Sequence, residues 1–155
     1  MMESSDNKKC SFTGHRVLSC YDFDPALLDR VILNLIKNGT QTFYCGMAQG
    51  FDLAAAESVI YYKKEYPVRL IACLPCPEQS QTFSKANKTR YENVLKNCDE
   101  VTILSDEYYK GCMHARDRYL VESCDLLVCF LRKNSGGTFY TVNYAKKLNK
   151  KIIEL

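Results

Sequence analysis

The chain has 155 residues, enough for one domain with a real core and too few for two ordinary ones. Hydrophobic residues make up 46% and charged residues 25%, the balance of a soluble globular protein. The net charge of +3 is small and the lysines are scattered, so nucleic acid is an unlikely partner on this reading. The nearest thing to a basic cluster, Lys146, Lys147, Lys150 and Lys151, reads as the solvated end of a final helix.

No apolar run approaches the roughly 20 residues needed to cross a bilayer. The polar start, residues 1–8, reads as a tail without the apolar stretch of a secretory signal, and residues 9–155 as the domain. The expected location is the cytoplasm, with no membrane partner. Nine cysteines are an odd number, and Cys45, Cys73, Cys98, Cys124 and Cys129 fall inside apolar segments, where a thiol packs as a small hydrophobe. Cys73 and Cys76 form a single C-x-x-C with no second pair at zinc-ribbon spacing and only two histidines in the chain. Reduced thiols, no metal and no resident cofactor are expected.

In chain order, Cys10 to Thr13 is a short β-type run ending at Gly14. Asp24-Pro25 opens a helix, with Asp24 as N-cap and Pro25 at its first position, and Asn38-Gly39 closes it. Thr42 to Cys45 is a second strand, Asp52 to Lys64 a second helix, and Val68 to Leu74 a third strand. Pro75 to Thr82 is a loop, Phe83 to Lys96 a polar helix, and Glu100 to Leu104 a fourth strand. Met113 to Ser123 is helical, Leu126 to Leu131 is the fifth and most apolar strand, and Asn134 to Gly137 is a glycine turn. Thr138 to Leu148 is the last helix and Lys151 to Leu155 a closing strand.

Strands alternating with helices at this spacing form right-handed βαβ units. The expected fold is therefore a single-domain α/β, Rossmann-like, doubly wound structure. Its sheet is mostly parallel, with Leu126 to Leu131 central and helices on both faces. Ligands of such sheets sit beyond the carboxyl ends of the strands, where strand order reverses.

Three loops at those ends carry the chemistry. S-F-T-G-H-R, Ser11 to Arg16, offers a turn glycine (Gly14), the Thr13 hydroxyl, and donors on His15 and Arg16 suited to an anion. G-M-A-Q-G-F-D, Gly46 to Asp52, places Gly46, Ala48 and Gly50 before a helix N-terminus, with Asp52 as a good N-cap and Glu57 further along. N-S-G-G-T-F-Y-T, Asn134 to Thr141, puts Ser135, Gly136, Gly137 and Thr138 where main-chain amides can cradle a phosphate. It is neither a Walker A loop nor a G-x-G-x-x-G fingerprint. Arg116, near the start of its helix, can reach the same edge of the sheet.

These three motifs in this order resemble the YpsA-like proteins of the SLOG superfamily, which also holds DprA/Smf and the Lonely-guy phosphoribohydrolases. The resemblance runs from about Cys10 to Leu155. It implies a Rossmann-like fold and a pocket for nucleotides or nucleotide-derived ligands, formed by Thr13, Gly14, His15, Arg16, Gly46, Ala48, Gly50, Asp52, Glu57 and Ser135 to Thr138. The Lonely-guy enzymes carry P-G-G-x-G-T-x-x-E, whereas this chain has S-G-G-T-F-Y-T-V-N, with Val142 and Asn143 where the glutamate is sought.

The leading functional expectation is a sensor or regulatory module binding a small nucleotide-like molecule. An alternative is an N-glycosidic or phosphoribosyl hydrolase with Glu57 or Asp52 as acid/base. A single-stranded DNA-binding accessory protein ranks last. Association of the chain into a homo-oligomer stays open.

Overall fold

The computed structural model describes residues 8–155. Six strands form one sheet: β1 (Lys8–Gly14), β2 (Thr40–Cys45), β3 (Arg69–Leu74), β4 (Glu100–Ile103), β5 (Leu126–Phe130) and β6 (Lys151–Glu154). Their order is β4-β3-β2-β1-β5-β6 and every pairing is parallel. Five helices connect them: α1 (Pro25–Lys37), α2 (Phe51–Lys63), α3 (Lys85–Lys96), α4 (Cys112–Ser123) and α5 (Gly136–Lys147). Helices α1, α2 and α3 pack on one face, while α4 and α5 pack together on the other. This is the doubly wound, Rossmann-like architecture. No described helix is long and apolar enough to cross a membrane.

Local chemistry sets the boundaries. Asp24 caps α1 by accepting from the Ala26 N–H at 3.0 Å, with Pro25 at the first position. Ser84 caps α3 by accepting from the Asn87 N–H, so that helix starts two residues after the predicted Phe83. Lys8 already belongs to β1, which corrects the tail boundary by one residue; the rest of the predicted tail lies outside the described residues. The predicted loop Pro75 to Thr82 contains one tight helical turn, Gln79–Thr82.

Strand order reverses at β1. The chain steps outward from β1 through β2 and β3 to β4, then crosses to β5 on the other side of β1 and ends at β6. Strand β5, expected at the centre, is interior and wholly buried but one place in from the β6 edge. The loops after β1 and β5 leave toward opposite faces, which opens a crevice between them.

The larger core is aromatic. Phe12 stacks on Phe43 with centroids 5.7 Å apart, Phe51 stacks on Phe130 at 6.1 Å, and Phe12 meets Phe51 edge-on at 6.4 Å. All four are buried. Cysteine fills the smaller gaps: burial pushes Cys73 and Cys129 up to about 12, so both are protonated thiols at neutral pH. Cys73 of the C-x-x-C packs beneath α4 with Leu120.

Phe130 joins the core to the crevice wall, so Phe130→Ala should cost about 3–5 kcal/mol in urea unfolding. Arg69→Ala, which removes a half-exposed ion pair with Glu100, should stay within about 0.5 kcal/mol.

Candidate functional site

The crevice at the carboxyl ends of β1, β2 and β5 is a cleft of about 640 Å³. Its shape depends on two glycines that let backbone segments touch. At Gly14 a Cβ would lie under 3.0 Å from the Phe51 ring. Gly50 has φ +83°, and a Cβ there would press equally hard on the Arg16 carbonyl. The Phe51 N–H donates to the His15 carbonyl at 3.1 Å, locking the two loops together. The side-chain position of Gly50 is therefore filled by neighbouring chain, and the residue does not line the cleft as its loop composition predicts. Gly46 is similar: a Cβ would meet the Arg116 side chain at 2.9 Å.

Asp52 is not the helix N-cap. Gly50 holds that position, and the Asp52 carboxylate turns back to accept from the Ala48 N–H at 3.2 Å. The preceding Met47 is held at φ 64°, an uncommon conformation for a residue with a side chain. Asp52 is 5% exposed, and its Oδ1 has no hydrogen-bond partner among the described residues. Burial pushes the Asp52 carboxyl up to about 7, against the opposing pull of Arg116 and the Ala48 N–H, with Asp117 adding to the rise.

Arg116 forms the floor. Its Nε donates to Asp117 Oδ1 at 2.8 Å, and its Nη1 donates to the Gly46 carbonyl. Gln79 Nε2 donates to the same carbonyl at 2.9 Å. Arg116 therefore braces the β2–α2 loop as well as lining the cleft.

The wall formed by α5 is the electropositive end. The two glycines predicted as a turn before the helix are its first turn, because α5 starts at Gly136, where φ is +92°. Ser135 is the N-cap, yet its side chain makes no capping bond. The first amides of α5 thus lack an internal acceptor and lie where the helix dipole favours an anion. Lys133 lies beside them, its Cε 3.7 Å from where a Gly136 Cβ would stand, and Arg16 lines the same cleft.

His15 departs from its expected role. Its Nε2 accepts from the Arg132 N–H at 2.7 Å, and its ring packs 5.1 Å from Tyr21. Burial, then Lys133 and Arg132, lowers its pKa. The imidazole is neutral, with its proton on Nδ1, and supplies no cationic charge.

Of the residues expected in the site, Thr13, Gly14, His15, Arg16, Ala48, Asp52, Arg116, Gly136, Gly137 and Thr138 line the cleft. Gly46, Gly50 and Ser135 do not line it, although Gly46 and Gly50 pack against Arg116 and Arg16, which do. Glu57 lies elsewhere: Arg90 grips it with two hydrogen bonds of 2.7 and 2.9 Å, and it does not border the cleft. Its proposed acid/base role is corrected accordingly. Sequence reasoning missed Asp117, Lys133, Gln79 and His114, all cleft residues. Asp117 was legible in principle, as the acidic neighbour of an arginine already singled out.

Two outcomes follow. Gly50→Ala should lose more than about 2 kcal/mol of stability, because its φ and its packing both exclude a side chain. The Asp52 proton is held more tightly in the folded state than in the unfolded one, so its contribution is full below about pH 4 and is lost as pH rises toward 7. Asp52→Asn should match the parent at pH 4 and gain on it up to pH 7, by at most about 4 kcal/mol, in parallel urea titrations.

Comparison with known proteins places this geometry in a family. A family model described as the YspA SLOG family matches residues 25–153. A UPF0398 protein from Halalkalibacterium halodurans is 32% identical over 123 residues, covering 77% of this chain and 65% of its own length. The SPbeta prophage-derived protein YoqJ from Bacillus subtilis is 29% identical over 131 residues, covering 76% of this chain and 77% of its own. Among solved structures, DNA processing protein A from Helicobacter pylori superposes with a TM-score of 0.71 at 18% identity, over 97% of this chain and 66% of that one. The Streptococcus pneumoniae DprA gives 0.71 at 20% identity, over 96% of this chain and 50% of that one. The Helicobacter pylori structure is reported for its single-stranded DNA binding mode. That finding overturns the inference from net charge that nucleic acid is an unlikely partner, because the same fold serves a DNA-binding protein. By the match of the family model over residues 25–153, the chain belongs to the YpsA-type SLOG family.

Proposed function

We propose that the cleft binds a phosphate-bearing nucleotide or nucleotide-derived ligand, with the phosphate at the N-terminus of α5. The observation that carries this reading is the uncapped first turn of α5, opening beside Lys133 into the cleft that Arg16 also lines. A helix N-terminus with a lysine beside it and an arginine on the same cleft is an arrangement that stabilises a phosphate. Gly137 has an ordinary φ and its nearest side-chain neighbour, Asp117 Oδ2, would stand 3.8 Å from an added Cβ, so the space beside its amide is open. His114 borders the cleft and stacks on Tyr140 with centroids 4.1 Å apart, giving a flat face against which a base can lie.

A second reading has its own support. The likeness to the Helicobacter pylori protein favours single-stranded DNA as a ligand, since a single strand offers the same phosphates and unstacked bases to stacking side chains. If the site turns its ligand over, the carboxylates in reach are Asp52 and Asp117, since Glu57 is held by Arg90.

Calorimetric titration with adenosine 5′-monophosphate, ADP-ribose and a short oligothymidylate tests the proposal and ranks the two readings. Arg16→Ala and Gly137→Val should each weaken the bound ligand about tenfold or more, which is about 1.4 kcal/mol. Arg16→Ala should leave stability within about 0.5 kcal/mol. Glu57→Gln should leave affinity unchanged. Unaltered affinity in both cleft variants, with the fold intact, would place the site elsewhere.

A further inference from the structure

The acidic side of the cleft is not explained by a phosphate. Asp52 and Asp117 both border it, both are buried, and both lie beside Arg116. A site meant only for anions would not keep two carboxylates there, because each repels a phosphate. The arginine answers one oxygen of the pair, Asp117 Oδ1, and the Ala48 amide answers one oxygen of Asp52. Asp52 Oδ1 has no hydrogen-bond partner among the described residues and is closed to solvent, a desolvation penalty that a ligand hydroxyl would remove once the side chain turns toward the cleft it borders. Asp117 Oδ2 lies at the mouth of the α5 wall, 3.8 Å from where a Gly137 Cβ would be, and so close to the amides that hold the phosphate.

A group with hydroxyl donors attached near a phosphate meets all of these conditions, and a ribose 5-phosphate unit is that group. We infer that Asp52 and Asp117 read the sugar: they accept hydrogen bonds from the vicinal 2′- and 3′-hydroxyls of a ribonucleotide whose phosphate sits at α5. This rests on the nucleotide reading of the cleft and adds to it a preference for ribose over 2′-deoxyribose. A site built to hydrogen-bond a hydroxyl discriminates strongly against the analogue that lacks it, since the buried acceptor is then left unpaired. The arrangement also divides labour in the site, with Lys133, Arg16 and the α5 amides serving the phosphate and the two aspartates the sugar.

The test compares adenosine 5′-monophosphate with its 2′-deoxy and 3′-deoxy analogues by calorimetry on the full chain, with inorganic phosphate as a probe of the anion end. The expected result is about tenfold or greater preference for the ribonucleotide over each deoxy form. In Asp52→Asn and Asp117→Asn the preference should shrink toward unity, while inorganic phosphate binds at least as tightly as in the parent because a repelling carboxylate has been neutralised. Thermal melts of each variant establish that the fold is kept, and the ligand-side comparison needs no variant at all. Equal affinity of the parent for ribose and deoxyribose forms would overturn the sugar assignment and leave the nucleotide reading standing. A preference that persists in both variants would move it to other residues. Failure of all three nucleotides to bind would remove the nucleotide reading and this inference with it.

Discussion

The contact between the loops after β1 and β2 is the constraint on which the cleft depends. Gly14 accepts the Phe51 ring where a side chain would otherwise stand, and Gly50 lies under the Arg16 carbonyl. Phe51 then continues into the stack with Phe12 and Phe130, so the aromatic core and the cleft wall are one packed unit. Because Phe51 and Asp52 are consecutive at the start of α2, seating the ring also sets the carboxylate on the cleft side of the helix. Much of the site's geometry is thus fixed by core packing, which is stiff, and less by hydrogen bonds at a solvated surface.

That origin accounts for the unusual electrostatics. A carboxylate placed by an aromatic anchor cannot retreat to water, so its proton affinity rises, and Arg116 with the Ala48 amide offsets only part of the penalty. Arg116 is itself committed to the Gly46 carbonyl and Asp117. The cleft accordingly has two characters: an electropositive wall at the first turn of α5, and a floor where Arg116 sits between Asp52 and Asp117. Net charge of the whole chain describes neither, which is why a value of +3 is a poor guide to the partner class.

The fold was largely legible because its signals are local and repeated. Asp24-Pro25, the apolar run from Val68 to Leu74 and the run from Leu126 to Leu131 each mark an element by mechanism, and their alternation implies a parallel sheet. The three loops were legible as places, since glycine and small residues after a strand are visible in one dimension. Their roles were less so. Gly50 and Gly46 serve chain-to-chain contacts with Arg16 and Arg116, residues 34 and 70 positions away, and no local pattern reports such partners. The loop of His15 reads as a source of donors because nothing in it shows that Arg132, beyond β5, occupies the His15 Nε2. Glu57 reads as a cleft residue from its place early in α2, whereas its partner Arg90 comes from α3, which docks from the side.

The central claim is that a phosphate docks on the first amides of α5. Amide chemical shifts of the ¹⁵N-labelled protein, followed during titration with adenosine 5′-monophosphate, test it at single-residue resolution. Saturable downfield shifts are expected at Gly136, Gly137 and Thr138, the amides that gain an acceptor. Saturable shifts confined to other surfaces, such as the lysine-rich end of α5 at Lys146 and Lys147, with these three amides unmoved, would contradict it.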